Sequence, residues 1–127
     1  MSFALLSADQ VVAIHDAVLN PGELPGLARD KSIDAAVARV ENRIAYGMFE
    51  DVFDVAAAYA EAISQGHCFN DGNKRTAFST MHLCLVLNGY AIPLDEDDVG
   101  PRIIDLAQGR SAAEDMAAWL REVAEAR

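Results

Sequence analysis

The sequence predicts an all-α fold: a compact bundle of about six helices around one central apolar helix, with a short flap. Three observations support this prediction. Apolar residues recur at intervals of three and four, as they do on the buried face of a helix. Helix-capping residues alternate with Gly and Pro stop signals along the chain. The alternation of inward-facing and outward-facing residue types that marks a half-buried strand is confined to residues 90–92, which form a candidate short strand.

The first two predicted helices are separated by a segment that is unsuited to a helix. Ser7-Ala8-Asp9-Gln10 is a capping box that precedes the first apolar face. Asn20-Pro21-Gly22 ends this helix, and residues 21–27 contain enough Pro and Gly to predict a loop or a hairpin-like flap. Ser32 or Asp30 caps the second helix. Its apolar face follows the helical spacing: Ile33, Val37, Val40 and Ile44.

The third and fourth helices supply most of the predicted core. The third covers about residues 50–65, and Gly66 is its expected stop signal. The fourth starts near Asn73 and ends at Asn88-Gly89. Because apolar residues occur on nearly all of its sides, we expect the fourth helix to be the central one.

The last two helices are predicted from caps and apolar spacing. Asp97 or Asp98 opens a fifth helix over about residues 99–108. Ser111-Ala112-Ala113-Glu114 has the pattern of a second capping box, and a sixth helix follows it.

Composition indicates one globular domain spanning residues 1–127. The chain is 52% hydrophobic and 24% charged, which is typical of a folded rather than a disordered chain. Its formal net charge of −10 argues against direct nucleic-acid binding, which depends on Lys and Arg neutralising phosphates. The longest apolar stretches are interrupted before they reach the roughly 18–20 residues of a membrane span. We therefore expect neither nucleic acid nor membrane as a partner.

The termini and cysteines indicate the compartment. No basic residue precedes the short apolar run at residues 3–6, so a signal peptide is not expected. Cys68 and Cys84 are separated by most of a predicted helix, roughly 15 Å or more, which is too far for a disulfide. Free thiols and the lack of a signal peptide predict the cytoplasm.

The most informative segment is residues 67–75, His-Cys-Phe-Asn-Asp-Gly-Asn-Lys-Arg. It brings an imidazole, a carboxylate and two cations to a helix start, where free N–H groups and the helix dipole favour anions. We interpret it as a nucleotide-phosphate site with His67 as candidate general base. Phe69 is interpreted as the anchor of the loop. His15 and His82 lie on helices, where histidines are more often structural.

Each remaining residue of this segment also has a simpler interpretation. Asp71 is a hard oxygen ligand suited to Mg²⁺, or a helix cap. Gly72 allows close approach of a phosphate, or only makes a turn. Asn73 suits a cap or a phosphate contact. Lys74 and Arg75 lie in the first helical turn, where the dipole disfavours cations, so either a phosphate or a nearby carboxylate compensates them.

Position by position, His67-x-Phe69-x-Asp71-Gly72-Asn73-Lys74-Arg75 resembles the signature of the Fic/Doc superfamily. The usual signature is H-x-F-x-[DE]-G-N-G-R. Lys74 in place of its second glycine is the variant found in the Doc (death-on-curing) toxins of bacterial toxin–antitoxin pairs. Weaker similarities occur in the same order along the rest of the chain, at Ile14-His15-Asp16, Leu24-Pro25-Gly26-Leu27 and Asn88-Gly89-Tyr90.

The resemblance implies a Fic fold and a phosphotransferase that uses ATP and Mg²⁺. In Doc-type proteins the γ-phosphate of ATP passes to a threonine of translation elongation factor Tu, which arrests translation. By position, His67 would be the base and Asp71 the Mg²⁺ ligand, with Gly72, Asn73, Lys74 and Arg75 lining the phosphate cradle. The alternative is AMP transfer, as in most Fic proteins, whose second glycine is here replaced by Lys74. A non-catalytic binding module is a further alternative.

The resemblance also implies two protein contacts. Residues 21–27, including Gly22, Leu24 and Gly26, would form a flap that docks the target chain by backbone pairing. The inhibitory pattern [ST]-x-x-x-E-[GN] of self-restrained Fic proteins is absent, since Val37 precedes the Glu41-Asn42 pair at the required spacing. We therefore expect a separate antitoxin, whose segment covers the active site.

Overall fold

The computed structural model describes residues 2–93 and 95–126, and within them it confirms the all-α fold. This part of the chain forms six helices and one two-stranded sheet. The elements are α1 (Ala8–Val18), α2 (Ile33–Ala45), α3 (Val52–Gly66), α4 (Asn73–Leu87), β1 (Tyr90–Ala91), α5 (Glu96–Ala107), α6 (Ala113–Val123) and β2 (Glu125–Ala126).

The central helix is α3, and the prediction that α4 is central was wrong. Most residues of α3 are buried, and the helix packs against α2, α4, α5 and α6. Its many alanines allow neighbouring helices to approach closely from several sides. In α4, by contrast, Leu87 is exposed and Phe78 and Leu83 are only partly buried. Apolar residues on all sides of α4 therefore do not mean that helices surround it.

Several helix starts agree with the sequence prediction. Ser7 forms the predicted capping box, in which its hydroxyl accepts from the Gln10 N–H and Gln10 accepts from the Ser7 N–H. Ser32, rather than Asp30, caps α2, and its hydroxyl accepts from the Ala35 N–H. Each cap satisfies a backbone donor that has no partner within its helix.

Two predicted helix starts were wrong. Asp95 caps α5, before the predicted Asp97 or Asp98. The capping box at Ser111 does not form, because Ala112 is the N-cap residue of α6. The Asp115 carboxylate accepts from the Ala112 N–H, which is the half of the box that needs no hydroxyl at the cap.

The end of α3 also differs from the prediction. Gly66 belongs to the helix, and the left-handed residue that ends it is His67, with φ 48° and ψ 43°. A Cβ at Gly66 would lie 3.1 Å from the Cys68 sulfur. Glycine is therefore needed here for close packing rather than for a positive φ.

The sheet is small and joins the chain after α4 to residues near the C-terminus. β1 pairs antiparallel with β2, with Tyr90 opposite Ala126 and Ala91 opposite Glu125. The predicted strand at 90–92 is thus confirmed for two of its residues. Cys68 and Cys84 are both buried and free, as predicted. Within the described residues, the helices are too short or too polar to cross a bilayer.

Candidate active site

The loop between α3 and α4 begins with a strained residue, His67. Its left-handed conformation is uncommon for a residue with a Cβ. The side chain is exposed, and within the described part of the chain it has no hydrogen-bond partner. Both ring nitrogens are therefore free to interact with a substrate.

Phe69 and His15 hold the middle of the loop. Phe69 is 2% exposed, as expected of an anchor, and its ring stacks on His15 with centroids 3.8 Å apart and planes 6° apart. His15, on α1, is fully buried, and its Nε2 lies 2.7 Å from the Asp71 carbonyl oxygen. Because a carbonyl oxygen only accepts, Nε2 must donate. The interpretation of His15 as structural agrees with these contacts.

Asn73 closes the loop with a pair of hydrogen bonds to Phe69. Its Oδ1 accepts from the Phe69 N–H at 3.1 Å, and its Nδ2 donates to the Phe69 carbonyl at 2.8 Å. Both ends of the amide are therefore engaged inside the protein. These contacts shape the loop and leave the second N–H of Nδ2 for another acceptor, so the phosphate contact of Asn73 stays a prediction.

The N-terminus of α4 is suited to receive an anion. Gly72 is its N-cap residue, and among the described residues no side chain caps this terminus. The φ of Gly72 is +80°, and a Cβ there would meet Arg75 Nη2 at 3.4 Å and His15 Cδ2 at 3.6 Å. Those are ordinary contact distances, so it is the positive φ that favours glycine here. Backbone donors at such a terminus, with the dipole, favour bound phosphate.

The two cations of the first turn differ in their partners. Lys74 is exposed and, among the described residues, forms no ion pair or hydrogen bond. Arg75 pairs with the Glu23 carboxylate, and its Nε donates to the Val18 carbonyl at 3.2 Å. Within the described residues, Arg75 therefore has the nearby carboxylate that was expected as an alternative to phosphate, and Lys74 has none.

The predicted flap, residues 21–27, lies against this loop. Leu27 forms an isolated antiparallel bridge with Phe69. Next to it, the Ala28 N–H donates to the Cys68 carbonyl at 2.7 Å, and the Asn70 N–H donates to the Gly26 carbonyl at 3.1 Å. Leu24 is 63% exposed, but its N–H donates to Asp71 Oδ2 at 2.8 Å. The flap is thus attached to the loop by backbone pairing, while Leu24 presents its side chain to solvent.

A cavity of about 370 Å³ collects the site residues. The residues that line it are Glu23, Ser64, His67, Asn70, Asp71, Gly72, Asn73, Lys74 and Arg75. The fold therefore brings together His67, Asp71 and the predicted cradle, whereas Phe69 lies beneath them in the core. Of the predicted flap residues, Gly22, Leu24 and Gly26 lie outside the lining, and Glu23 belongs to it.

Asp71 determines which kind of metal suits this cavity. Among the described residues no cluster of three His, Cys, Asp or Glu side chains could hold a metal ion. With the Glu23 carboxylate paired to Arg75, the Asp71 carboxylate fits Mg²⁺ that arrives with a nucleotide, because Mg²⁺ commonly uses one or two carboxylates together with substrate phosphates and water. It does not fit a resident metal ion held by protein ligands alone.

Comparison with known proteins agrees with this geometry. Residues 5–85 match the model of the Fic/DOC family. The chain belongs to the Fic/Doc family. The matched region contains α1, the flap and the whole of residues 67–75. The resemblance inferred from the motif is therefore confirmed.

Two relatives extend the Fic/Doc assignment. One is the protein kinase doc of Escherichia phage P1, which is 34% identical over 119 residues, or 93% of this chain and 94% of the relative. Another is the toxin Doc of Mycolicibacterium smegmatis, which is 37% identical over 67 residues, or 51% of each chain. The similarity to the phage protein extends beyond the family match, into the C-terminal part of the chain.

Three residues of this Fic/Doc site were not predicted from the sequence. Glu23 could have been noticed, because it is the only acidic residue in the Pro- and Gly-rich segment 21–27. Ser64 is fully buried in the last turn of α3 and lines the cavity three residues before His67. His15 belongs to Ile14-His15-Asp16, one of the weaker similarities to the Doc toxins noted in the sequence. Its contact with Asp71, 56 positions away, depends on the fold and could not be predicted from that similarity.

Proposed function

We propose that this Fic/Doc-family chain is a toxin that acts as a protein kinase and transfers the γ-phosphate of ATP to a protein hydroxyl. The observation that carries the proposal is Lys74, an exposed cation that lines the cavity with His67 and has no ion-pair partner among the described residues. The relative from phage P1, which is named a protein kinase and aligns over 93% of this chain, supports the same chemistry.

His67 is proposed to be the general base. Its exposed ring borders the cavity and has no internal hydrogen bond among the described residues, so it can accept the proton of an incoming hydroxyl. The hydroxyl oxygen forms a bond to the γ-phosphorus as the bond to the bridging oxygen breaks, and ADP leaves. A histidine is suited to this step near neutral pH.

The start of α4 is proposed to hold the phosphates. Backbone N–H groups following Gly72 and the positive end of the helix dipole attract the anion. Lys74 adds a point charge that offsets negative charge developing in the transition state. Asp71 would bind Mg²⁺, which, when bound, neutralises phosphate charge. Asn73 contributes by fixing the loop through Phe69.

AMP transfer is the second candidate, and Lys74 disfavours it. In the resembling Fic motif a glycine at this position leaves room for the α and β phosphates, whereas a lysine fills that room. The proposal therefore assigns the γ rather than the α phosphate to the reacting position. A binding module without catalysis is less consistent with a cavity that contains His67, Asp71 and Lys74 together.

The proposed target is a threonine of elongation factor Tu in the bacterial cytoplasm, and the proposed regulator is an antitoxin whose segment covers the cavity. These proposals rest on the Doc-type motif and on the relative named toxin Doc. The exposed Leu24 is a feature that suits docking of an extended chain.

The test is transfer of label from ATP to purified elongation factor Tu in the presence of Mg²⁺, with ATP labelled at either the γ or the α phosphate. We expect label from γ only, and loss of transfer in His67→Ala. His82→Ala, outside the cavity, is the matched control and should retain activity. Label from α would establish AMP transfer instead. No transfer from either position, beside an active control enzyme, would eliminate the kinase proposal.

A further inference from the structure

The tip of the flap contacts the two groups that the proposed reaction requires for nucleotide and metal. The Glu23 carboxylate pairs with the Arg75 guanidinium. The adjacent Leu24 N–H donates to Asp71 Oδ2 at 2.8 Å. Arg75 and Asp71 both line the cavity, and so does Glu23. Two neighbouring flap residues thus engage the proposed phosphate and Mg²⁺ ligands.

The contact of Glu23 competes with phosphate binding. Arg75 already donates through Nε to the Val18 carbonyl and through Nη2 to Glu23. A phosphate that binds the remaining N–H groups of Arg75 lies close to the Glu23 carboxylate, and the two negative charges repel each other. The hydrogen bond from Arg75, followed by one from the Asn20 N–H, lowers the pKa of Glu23 below its ordinary value. Glu23 is therefore ionised at neutral pH.

The base of the flap is held independently of these groups. Ala28 donates to the Cys68 carbonyl at 2.7 Å, and Asn70 donates to the Gly26 carbonyl at 3.1 Å. The Asn70 side chain also donates to the Pro25 carbonyl at 3.0 Å. None of these bonds involves Asp71 or Arg75. The flap tip can therefore leave the cavity while residues 25–28 stay attached.

We propose that Glu23 sets the nucleotide affinity of this site by competing with phosphate for Arg75, and that binding of the metal–nucleotide pair releases residues 23–24. Release frees the Leu24 N–H, which becomes a backbone donor for an incoming target chain. Nucleotide then binds before the protein target. This inference rests on the proposed function, because it assumes that phosphate occupies the cavity.

The first test is calorimetric titration of the full chain with the Mg²⁺ complex of a non-hydrolysable ATP analogue. Glu23→Gln removes the charge while keeping the shape of the side chain. Its matched control is Glu122→Gln, which removes the same charge at an exposed position outside the cavity lining. We expect Glu23→Gln to bind roughly three- to tenfold more tightly than wild type, and the control to match wild type.

The outcomes separate this inference from the function on which it rests. Equal affinity of wild type, Glu23→Gln and Glu122→Gln would overturn the competition while leaving the nucleotide site intact. Absence of binding by all three proteins would remove the nucleotide site itself, and the inference with it. Equal tightening by both substitutions would also overturn it, because net charge alone would then explain the effect.

The second test follows amide hydrogen exchange by NMR with and without the same analogue. In the free protein the Leu24 amide should be protected by Asp71, and saturation with the Mg²⁺ complex should increase its exchange rate at least severalfold. The Ala28 and Asn70 amides are internal controls, and their protection should not change. A Leu24 amide that stays equally protected at saturation would refute release of the flap tip.

Discussion

His15 provides the sharpest test of how the active-site loop is held, and we expect His15→Ala to destabilise the protein strongly. The substitution removes a fully buried ring that stacks on Phe69 at 3.8 Å and donates to the Asp71 carbonyl at 2.7 Å. Truncating a buried side chain of this size costs about 2–4 kcal/mol. The carbonyl left without its donor adds about 1 kcal/mol, the lower part of the usual range because the bond is only part-buried.

The expected loss of unfolding free energy is thus about 3–5 kcal/mol, or roughly 10–20 °C in melting temperature for a domain of this size. Urea and thermal denaturation followed by circular dichroism measure it. His15→Gln retains an N–H donor near the position of Nε2 but loses the stacked ring, so it should lose about 1 kcal/mol less than His15→Ala. A His15→Ala protein within about 1 kcal/mol of wild type would refute the reasoning, since the ring could not then be holding the loop.

Three further outcomes are expected. Lys74→Gly should lower γ-phosphate transfer at least tenfold and allow measurable α-phosphate transfer in the labelling assay; unchanged γ transfer would remove Lys74 from its role. Gly72→Val should cost about 2 kcal/mol in urea denaturation, because φ is +80° and a β-branched residue is strained in that conformation. Arg121→Ala should cost about 1 kcal/mol at pH 7 by removing contacts of 2.8 Å to Asp51 and Asp54. Partial burial raises the pKa of Asp51, but the hydrogen bond from Arg121 outweighs it, and the net shift of the pKa is downward. The stability difference between wild type and Arg121→Ala should therefore be present above about pH 4 and vanish as Asp51 protonates at lower pH.

The helices could be predicted from the sequence because their signals are local. Apolar spacing and caps such as Ser7 and Ser32 act within one or two turns, and the structure has helices in all six predicted places. Which helix is central could not be predicted in the same way. Apolar content made α4 look central, whereas the alanines of α3 allow four helices to pack around it. The number of helices that pack against a given helix depends on tertiary packing, and the spacing of apolar residues along one helix does not reveal it.

The chemical groups of the site were predicted from the motif, but their partners were not. His67, Asp71 and Lys74 meet in one cavity as residues of a single loop and helix start. The contacts that control them come from far away in sequence: Glu23 is 52 positions from Arg75, and Leu24 is 47 from Asp71. Such pairs depend on how the flap folds back over the loop. The sequence showed the flap as a Pro- and Gly-rich segment but not which motif residues it would contact.

The charges of the cavity connect these contacts to the proposed chemistry. Lys74 and Arg75 contribute two positive charges, and Glu23 and Asp71 contribute two negative ones, so the free site is close to neutral. An overall charge of −10 adds no long-range attraction for a polyphosphate. Phosphate affinity must therefore arise locally, from the α4 N-terminus and from a change in the balance of these four groups. Withdrawal of Glu23 makes the site more positive, and pairing of Asp71 with a cation has the same effect. Withdrawal of Glu23 requires the flap tip to leave, and a cation on Asp71 competes with the Leu24 N–H that donates to its Oδ2. A closed flap therefore opposes phosphate binding, and a bound metal–nucleotide pair opposes closure.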